Sequence, residues 1–355
     1  MPVASIKDSV TSYERWLRQQ LGGELVEKDI TRKHEKMAQS AFSFMRATYW
    51  RWSETIFDVC PELSSGQTVL AVGDIHLENF GSWRDVDGRL IWGVNDFDEA
   101  AEMPYTLDLV RLAASAMLAR DGASTDTICR SILGGYRKGL RAPRPFVLER
   151  DHDWLRKLVT ASDAERSKFW EKLAANKNSG PPPRYRRPLL SAMPGSGATV
   201  VYCKRSAGVG SLGRPRWVAI ATYRGGEVIR EAKALVPSAW SLFHGRRTTK
   251  IFCNEIGSGQ YRSPDPWYHA SNGILVRRLS PNNRKIEVED GPDTLLSAQV
   301  LEAMGFEIAN IHLGTANIRS AIVRDLGKRK PNWLHAAAKG AATAVADDHK
   351  AWKKA

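Results

Sequence analysis

Between Ser9 and Phe57 apolar residues recur at helical spacing, and Met37, Phe42, Phe44, Tyr49 and Trp50 form one apolar and aromatic stripe. That period predicts helices that bury the stripe in a core. From Thr68 to Gly93 the texture changes to two short apolar runs, TVLAV and RLIWGV, separated by a polar loop and by the turn VDGR at 86–89. Such runs predict a hairpin with polar residues at its strand ends. Helical periodicity returns over Thr106–Ala119, Thr125–Leu140 and Asp151–Ala175.

The prolines of 178–183 (NSGPPP) mark a boundary, since three in a row fit neither a helix interior nor a central strand. Beyond them, residues 200–205, 216–223 and 227–233 read as strands joined by the loop SAGVGSLG (206–213) and the turn Arg224-Gly225-Gly226, with 273–279 and 284–288 extending the sheet. Helix resumes over Thr294–His312 and from about Trp333 to the end. The expected organisation is α+β: a mostly helical region with a hairpin over 1–180, a strand-rich unit over 184–290, and C-terminal helices over 291–355 that pack on the helical region.

Composition narrows this picture. A chain of 355 residues is long for one core and suits two lobes around a cleft. Cys60, Cys129, Cys203 and Cys253 form no C-x-x-C pair, so neither a zinc knuckle nor a disulfide framework is signalled. The first residues lack the apolar run of a signal peptide and no window approaches a membrane span, which predicts a cytoplasmic protein without membrane insertion. Lys and Arg outnumber Asp and Glu by 52 to 39, giving a net charge of +13 that attracts polyanions. The basic residues are scattered, including 177–187, 246–250 and 328–330, with no zinc finger or zipper, so nucleic-acid binding ranks below a merely basic surface.

The chemistry concentrates in VGDIHLENFG (72–81) and WGVNDFDEA (92–100). Each acidic and amide cluster follows an apolar run, which places Asp74, His76, Asn79, Asp96 and Asp98 together at the mouth of the expected hairpin. Gathered carboxylates repel unless a cation or basic side chains offset them. Magnesium takes hard oxygen ligands while keeping waters, so Asn79 and Asp96 suit it better than zinc. Asp98 and Glu99 either make a second metal contact or pair with Arg111, with Asp98 favoured as an auxiliary ligand and Glu99 as structural. His76 either supports the loop or touches substrate. Arg46 and His312 read as structural.

In the second half, Gly208, Gly210, Ser211 and Gly213 lie in a loop between two strands, where glycines let backbone N–H groups approach anionic oxygens. The following strand carries Arg230 and Lys233. Lys233 is the first choice for pairing with phosphate, with Lys204 and Arg230 as alternatives. No Walker-type G-x-x-x-x-G-K-S/T occurs.

GDIHLEN at 73–79 resembles the catalytic loop of aminoglycoside and choline kinase-like phosphotransferases, NDFDE at 95–99 resembles their metal-binding segment, and PYTLDLVRLA at 104–113 resembles the helix after it. The resemblance implies Asp74 as catalytic base or hydroxyl-orienting residue, Asn79 and Asp96 as magnesium ligands, and Asp108 as support for the loop. Over nearly its whole length the chain is similar to the bacterial DUF2252 family, through SAFSFMR (40–46), GDIHLENFG (73–81), NDFDE (95–99), DLVRLAAS (108–115) and GVGSLG (208–213). The glycine loop follows the acidic motifs here, the reverse of the kinase order, so the implied fold is a two-lobed, circularly permuted protein kinase-like fold. The implied function is transfer of phosphate from ATP with Mg2+ to a hydroxyl-bearing small-molecule or protein acceptor. AMP transfer from the same cleft, a catalytically silent nucleotide-binding protein and a nucleic-acid-binding protein are the alternatives.

Overall fold

The computed structural model describes residues 4–120, 124–175, 177–178, 180–195, 199–245, 248–289 and 291–354. Ser179 of the proline boundary and Arg246 and Arg247 of one basic run lie outside the described residues. The architecture is mixed α+β, with three sheets among the described residues.

The first stripe folds as four helices, Ile6–Leu21, Glu27–Gln39, Ala41–Ala47 and Tyr49–Val59. Ser5 and Ser40 begin two of them by accepting from the backbone N–H three residues on, which satisfies one of the orphan donors of a first turn. The region 151–175 divides into Asp153–Val159 and Asp163–Ala174, because the Ser162–Glu165 capping box restarts the helix. Pro183 opens the helix Pro183–Ser191 instead of excluding one: at the first helical position its missing N–H costs nothing. The C-terminal part supplies the helices Ala298–Leu313, Arg319–Lys328 and Trp333–Lys353.

The pairing of the two apolar runs differs from the expected hairpin. Thr68–Ala71 pairs antiparallel with Ala101–Pro104, while Leu90–Val94 pairs with Phe80–Arg84 across the turn held by Asp85 and Arg89. The polar loop therefore bridges two small sheets. The larger sheet is antiparallel and runs in the order His269–Ser271, Ile274–Leu279, Gly226–Ala234, Arg216–Tyr223, Val200–Lys204, Lys177–Asn178. Residues 284–288 do not extend it. Their backbone bonds go elsewhere: Arg284 exchanges bonds with Ser82, donating its N–H to Oγ and accepting from the Ser82 N–H, and the Val288 N–H donates to Glu78.

One apolar core runs from Ile6 through the central helices into one face of the large sheet, at Ala219, Ala232 and Val276. The opposite face, with Cys203, Val218 and Ile229, packs on Leu173 of the helix Asp163–Ala174. This alternation follows from the period of two along a strand.

Candidate functional site

The loop after Thr68–Ala71 is suspended from the buried helix Thr106–Ala119 by three side chains on one helical face. Asp108 accepts from the N–H groups of Val72 at 2.8 Å and Gly73 at 3.0 Å, Arg111 bonds Asp74, and Ser115 Oγ accepts from the Leu77 N–H. Spacings of three and four residues put these polar groups in one row. Asp108 is further held by His312 Nε2 at 3.0 Å, whose Nδ1 meets the Tyr136 hydroxyl at 2.9 Å. A carboxylate only accepts, so an imidazole N–H lies on Nε2, while Nδ1 bonds the Tyr136 hydroxyl. Asp108 thus joins the loop to the helix, and His312 holds Asp108 in place.

Gly73 turns the chain at φ +78°, and a Cβ there would lie 2.3 Å from the Glu99 carbonyl oxygen. The turn delivers Asp74 to a small cavity shared with His76, Asn79, Asp96, Asp98 and the glycine loop. Burial raises the Asp74 carboxyl above its ordinary range, against the opposing pull of Arg111. His76 is buried with Nδ1 unbonded, and burial together with Arg46 and Arg111 holds it far below its usual value, so the ring is neutral. Its edge faces Phe42.

Lys233, 1% exposed, enters from the large sheet and bonds Asp96 at 3.1 Å and Asp98 at 2.6 Å. Burial works against the Asp96 carboxylate, but Lys233 and Arg277 outweigh it and hold Asp96 well below the ordinary range; Asp98 is raised by burial and by its neighbour Asp96. Asn79 donates from its amide nitrogen to the carbonyls of Asp74 at 3.0 Å and Asp96 at 3.4 Å, which leaves Oδ1 as its end not used by these bonds. Among the described residues no three His, Cys, Asp or Glu side chains form a metal-holding cluster. A magnesium ion that takes Asn79 and Asp96 and completes its shell with phosphate and water fits this donor set.

The glycine loop covers Asp74. At Gly210 a Cβ would stand 3.0 Å from Asp74 Oδ2 and from the Arg46 carbonyl oxygen, and Lys33 ties the Gly210 carbonyl down at 3.1 Å. The cavity beneath measures about 60 Å³, room for a few waters. Gly208 and Ser211 line it, whereas Gly213 does not: it turns at φ +94° against Ile30, so its role is close packing on the helix Glu27–Gln39. Ser211 Oγ accepts from Arg216 at 2.8 Å.

Arg230 and Lys204 are not brought to the site. Arg230 lies an odd number of residues from Lys233, on the opposite sheet face, where it stacks 4.2 Å over Trp267 and donates to the Ala192 carbonyl. Lys204 is exposed. Asp98 and Glu99 pair with Arg214 at 3.4 Å and 2.6 Å, while Arg111 takes Asp74. Arg214, which lines the cavity from the end of the glycine loop, and Lys33, which holds Gly210 from an ordinary amphipathic helix, escape a sequence reading. Arg46 bonds Glu78 at 2.6 Å on the cavity wall.

A family model described as uncharacterized protein conserved in bacteria matches residues 25–181 and 198–355, nearly the whole chain. The chain belongs to this family, DUF2252. No curated protein and no solved structure matches it.

Proposed function

We propose that this protein is an ATP- and magnesium-dependent phosphotransferase acting on a hydroxyl group. The observation that carries the reading is the meeting of Lys233 with Asp96 and Asp98, beside Asn79 and beneath a glycine loop that closes on Asp74. In this reading Lys233 and the loop N–H groups would hold the nucleotide phosphates, and Asn79 and Asp96 would hold a magnesium ion, whose charge would offset that developing on the transferred group. Asp74, fixed by Arg111, orients the acceptor hydroxyl for in-line attack. The ion pair with Arg111 favours orientation over proton abstraction. Entry of the nucleotide requires residues 206–213 to lift from Asp74, and the reversed order of acidic and glycine motifs corresponds to a circularly permuted kinase-like arrangement.

Calorimetric titration of ATP, with and without magnesium, into wild type and Asp96→Ala tests the reading. Magnesium-dependent binding that weakens at least tenfold in the folded variant is expected. No binding by wild type at millimolar ATP would overturn it.

A further inference from the structure

A second cavity, about 210 Å³, lies between the large sheet and the hairpin strands Phe80–Arg84 and Leu90–Val94. Its chemistry is unusual because of one carboxylate. Glu231 is fully buried and serves three arginines: Arg205, Arg216 at 2.7 Å and Arg277 at 2.9 Å. Glu231 supplies one negative charge for three guanidiniums, an excess of two that the nearby Asp96 carboxylate, beside Arg277, offsets only in part. Arg216 is buried and spends its other arm on Ser211, but Arg205 and Arg277 line the cavity. Lys285, which has no ion-pair partner among the described residues, adds a third cation where this cavity adjoins the glycine-loop cavity.

The remaining basic residues of the wall do not contribute to the surplus. Arg262 pairs with Glu307, Arg278 with Asp265 and Arg284 with Glu165. Trp83, Phe97 and Tyr268 supply flat apolar walls. Surplus guanidinium charge beside a cavity is costly until an anion enters, and a guanidinium fork matches carboxylate or phosphate in two parallel bonds. Aromatic walls select a planar body.

We propose that this cavity binds a small planar anion: an aromatic ring bearing a carboxylate or phosphate. The site is separate from the nucleotide reading and does not depend on it.

Calorimetry on the full chain tests it with 4-hydroxybenzoate and 4-hydroxyphenyl phosphate as probes, and 4-hydroxybenzamide as their neutral counterpart. At least one anion should bind tenfold or more tightly than the amide. Arg205→Gln should abolish that preference while keeping a melting temperature equal to or above that of wild type, since it relieves surplus charge. Asp74→Ala, in the neighbouring cavity, should leave probe affinity within twofold. Binding of the amide as tight as that of both anions, no binding of either anion, or an anion preference undiminished in Arg205→Gln would overturn the proposal.

Discussion

Arg111, fully buried, donates to Asp74 Oδ1 at 2.5 Å with the same nitrogen that donates to the Met45 carbonyl at 2.9 Å. Its other nitrogens make no hydrogen bond; the guanidinium lies between the rings of Tyr49 and Trp52, 5.0 and 5.1 Å from their centroids. The cation thus exchanges some hydrogen bonding for aromatic faces, and Asp74 provides its one compensating charge. Arg111→Met removes that charge and leaves Asp74 largely enclosed without a partner. A loss of about 3 kcal/mol is expected, the scale for breaking a buried ion pair. Urea denaturation reads it as a lower midpoint; an unchanged midpoint would show that the pair contributes nothing net.

At Gly73 geometry leaves no choice of residue. Any Cβ collides with the Glu99 carbonyl and the Tyr49 hydroxyl, and the positive φ adds strain of its own. Gly73→Ala should lower stability by about 2 kcal/mol or more and displace Asp74 along with the loop. The check is a thermal melt paired with ATP titration: a variant that melts with wild type and binds as well would contradict the described turn.

Much of this was legible in the chain because the signals are local. Polar residues clustered immediately after short apolar runs identified the loop carrying Asp74 and Asn79 and the segment carrying Asp96 and Asp98, and they do share a cavity. Asp108 was legible through the resemblance of PYTLDLVRLA to the helix that follows a kinase metal-binding segment. Arg111 and Ser115 carry the same three-and-four spacing, a signal that could have assigned them to the loop as well. Strand partners were harder, since a period of two reveals a strand but not its neighbour: Thr68–Ala71 pairs with Ala101–Pro104 across a loop and a second hairpin. Lys33 meets Gly210 from 177 residues away, and nothing in an amphipathic helix distinguishes that lysine from a solvated one. Gly213 misled because a glycine serving packing and one serving phosphate look alike in a motif.

The Asp108 carboxylate receives three donors, from Val72, Gly73 and His312. Asparagine offers one oxygen and a donating nitrogen, so Asp108→Asn must turn its NH2 toward at least one of those N–H groups. The unpaired buried donors should cost about 3 kcal/mol. The expected observation is a lower urea midpoint with an unchanged denaturant slope, together with faster amide exchange at Val72 and Gly73. Wild-type exchange at both amides would show that the carboxylate is not what holds the loop.

Lys33 makes a pH dependence that can be isolated. Only 4% exposed, it bonds a carbonyl and lacks an acidic partner, and burial followed by the nearby Arg214 lowers its ammonium from 10.5 to about 8. In the unfolded chain the lysine stays protonated to higher pH, so between pH 8 and 10.5 the unfolded state binds more protons than the folded one. Stability contributed by this group therefore rises with pH across that window, by up to about 3 kcal/mol, and the full penalty persists below it. Tyrosines and cysteines also titrate there, so the informative quantity is the difference between wild type and Lys33→Met. The variant should gain on wild type at pH 7 by relief of the buried charge, less about 1 kcal/mol for the lost bond to Gly210, and the gap should close toward pH 10.5. Denaturation midpoints measured at pH 7, 8, 9 and 10 decide it: parallel curves would mean that the Lys33 ammonium is solvated in the folded protein, and that the glycine loop is not pinned over Asp74 by this contact.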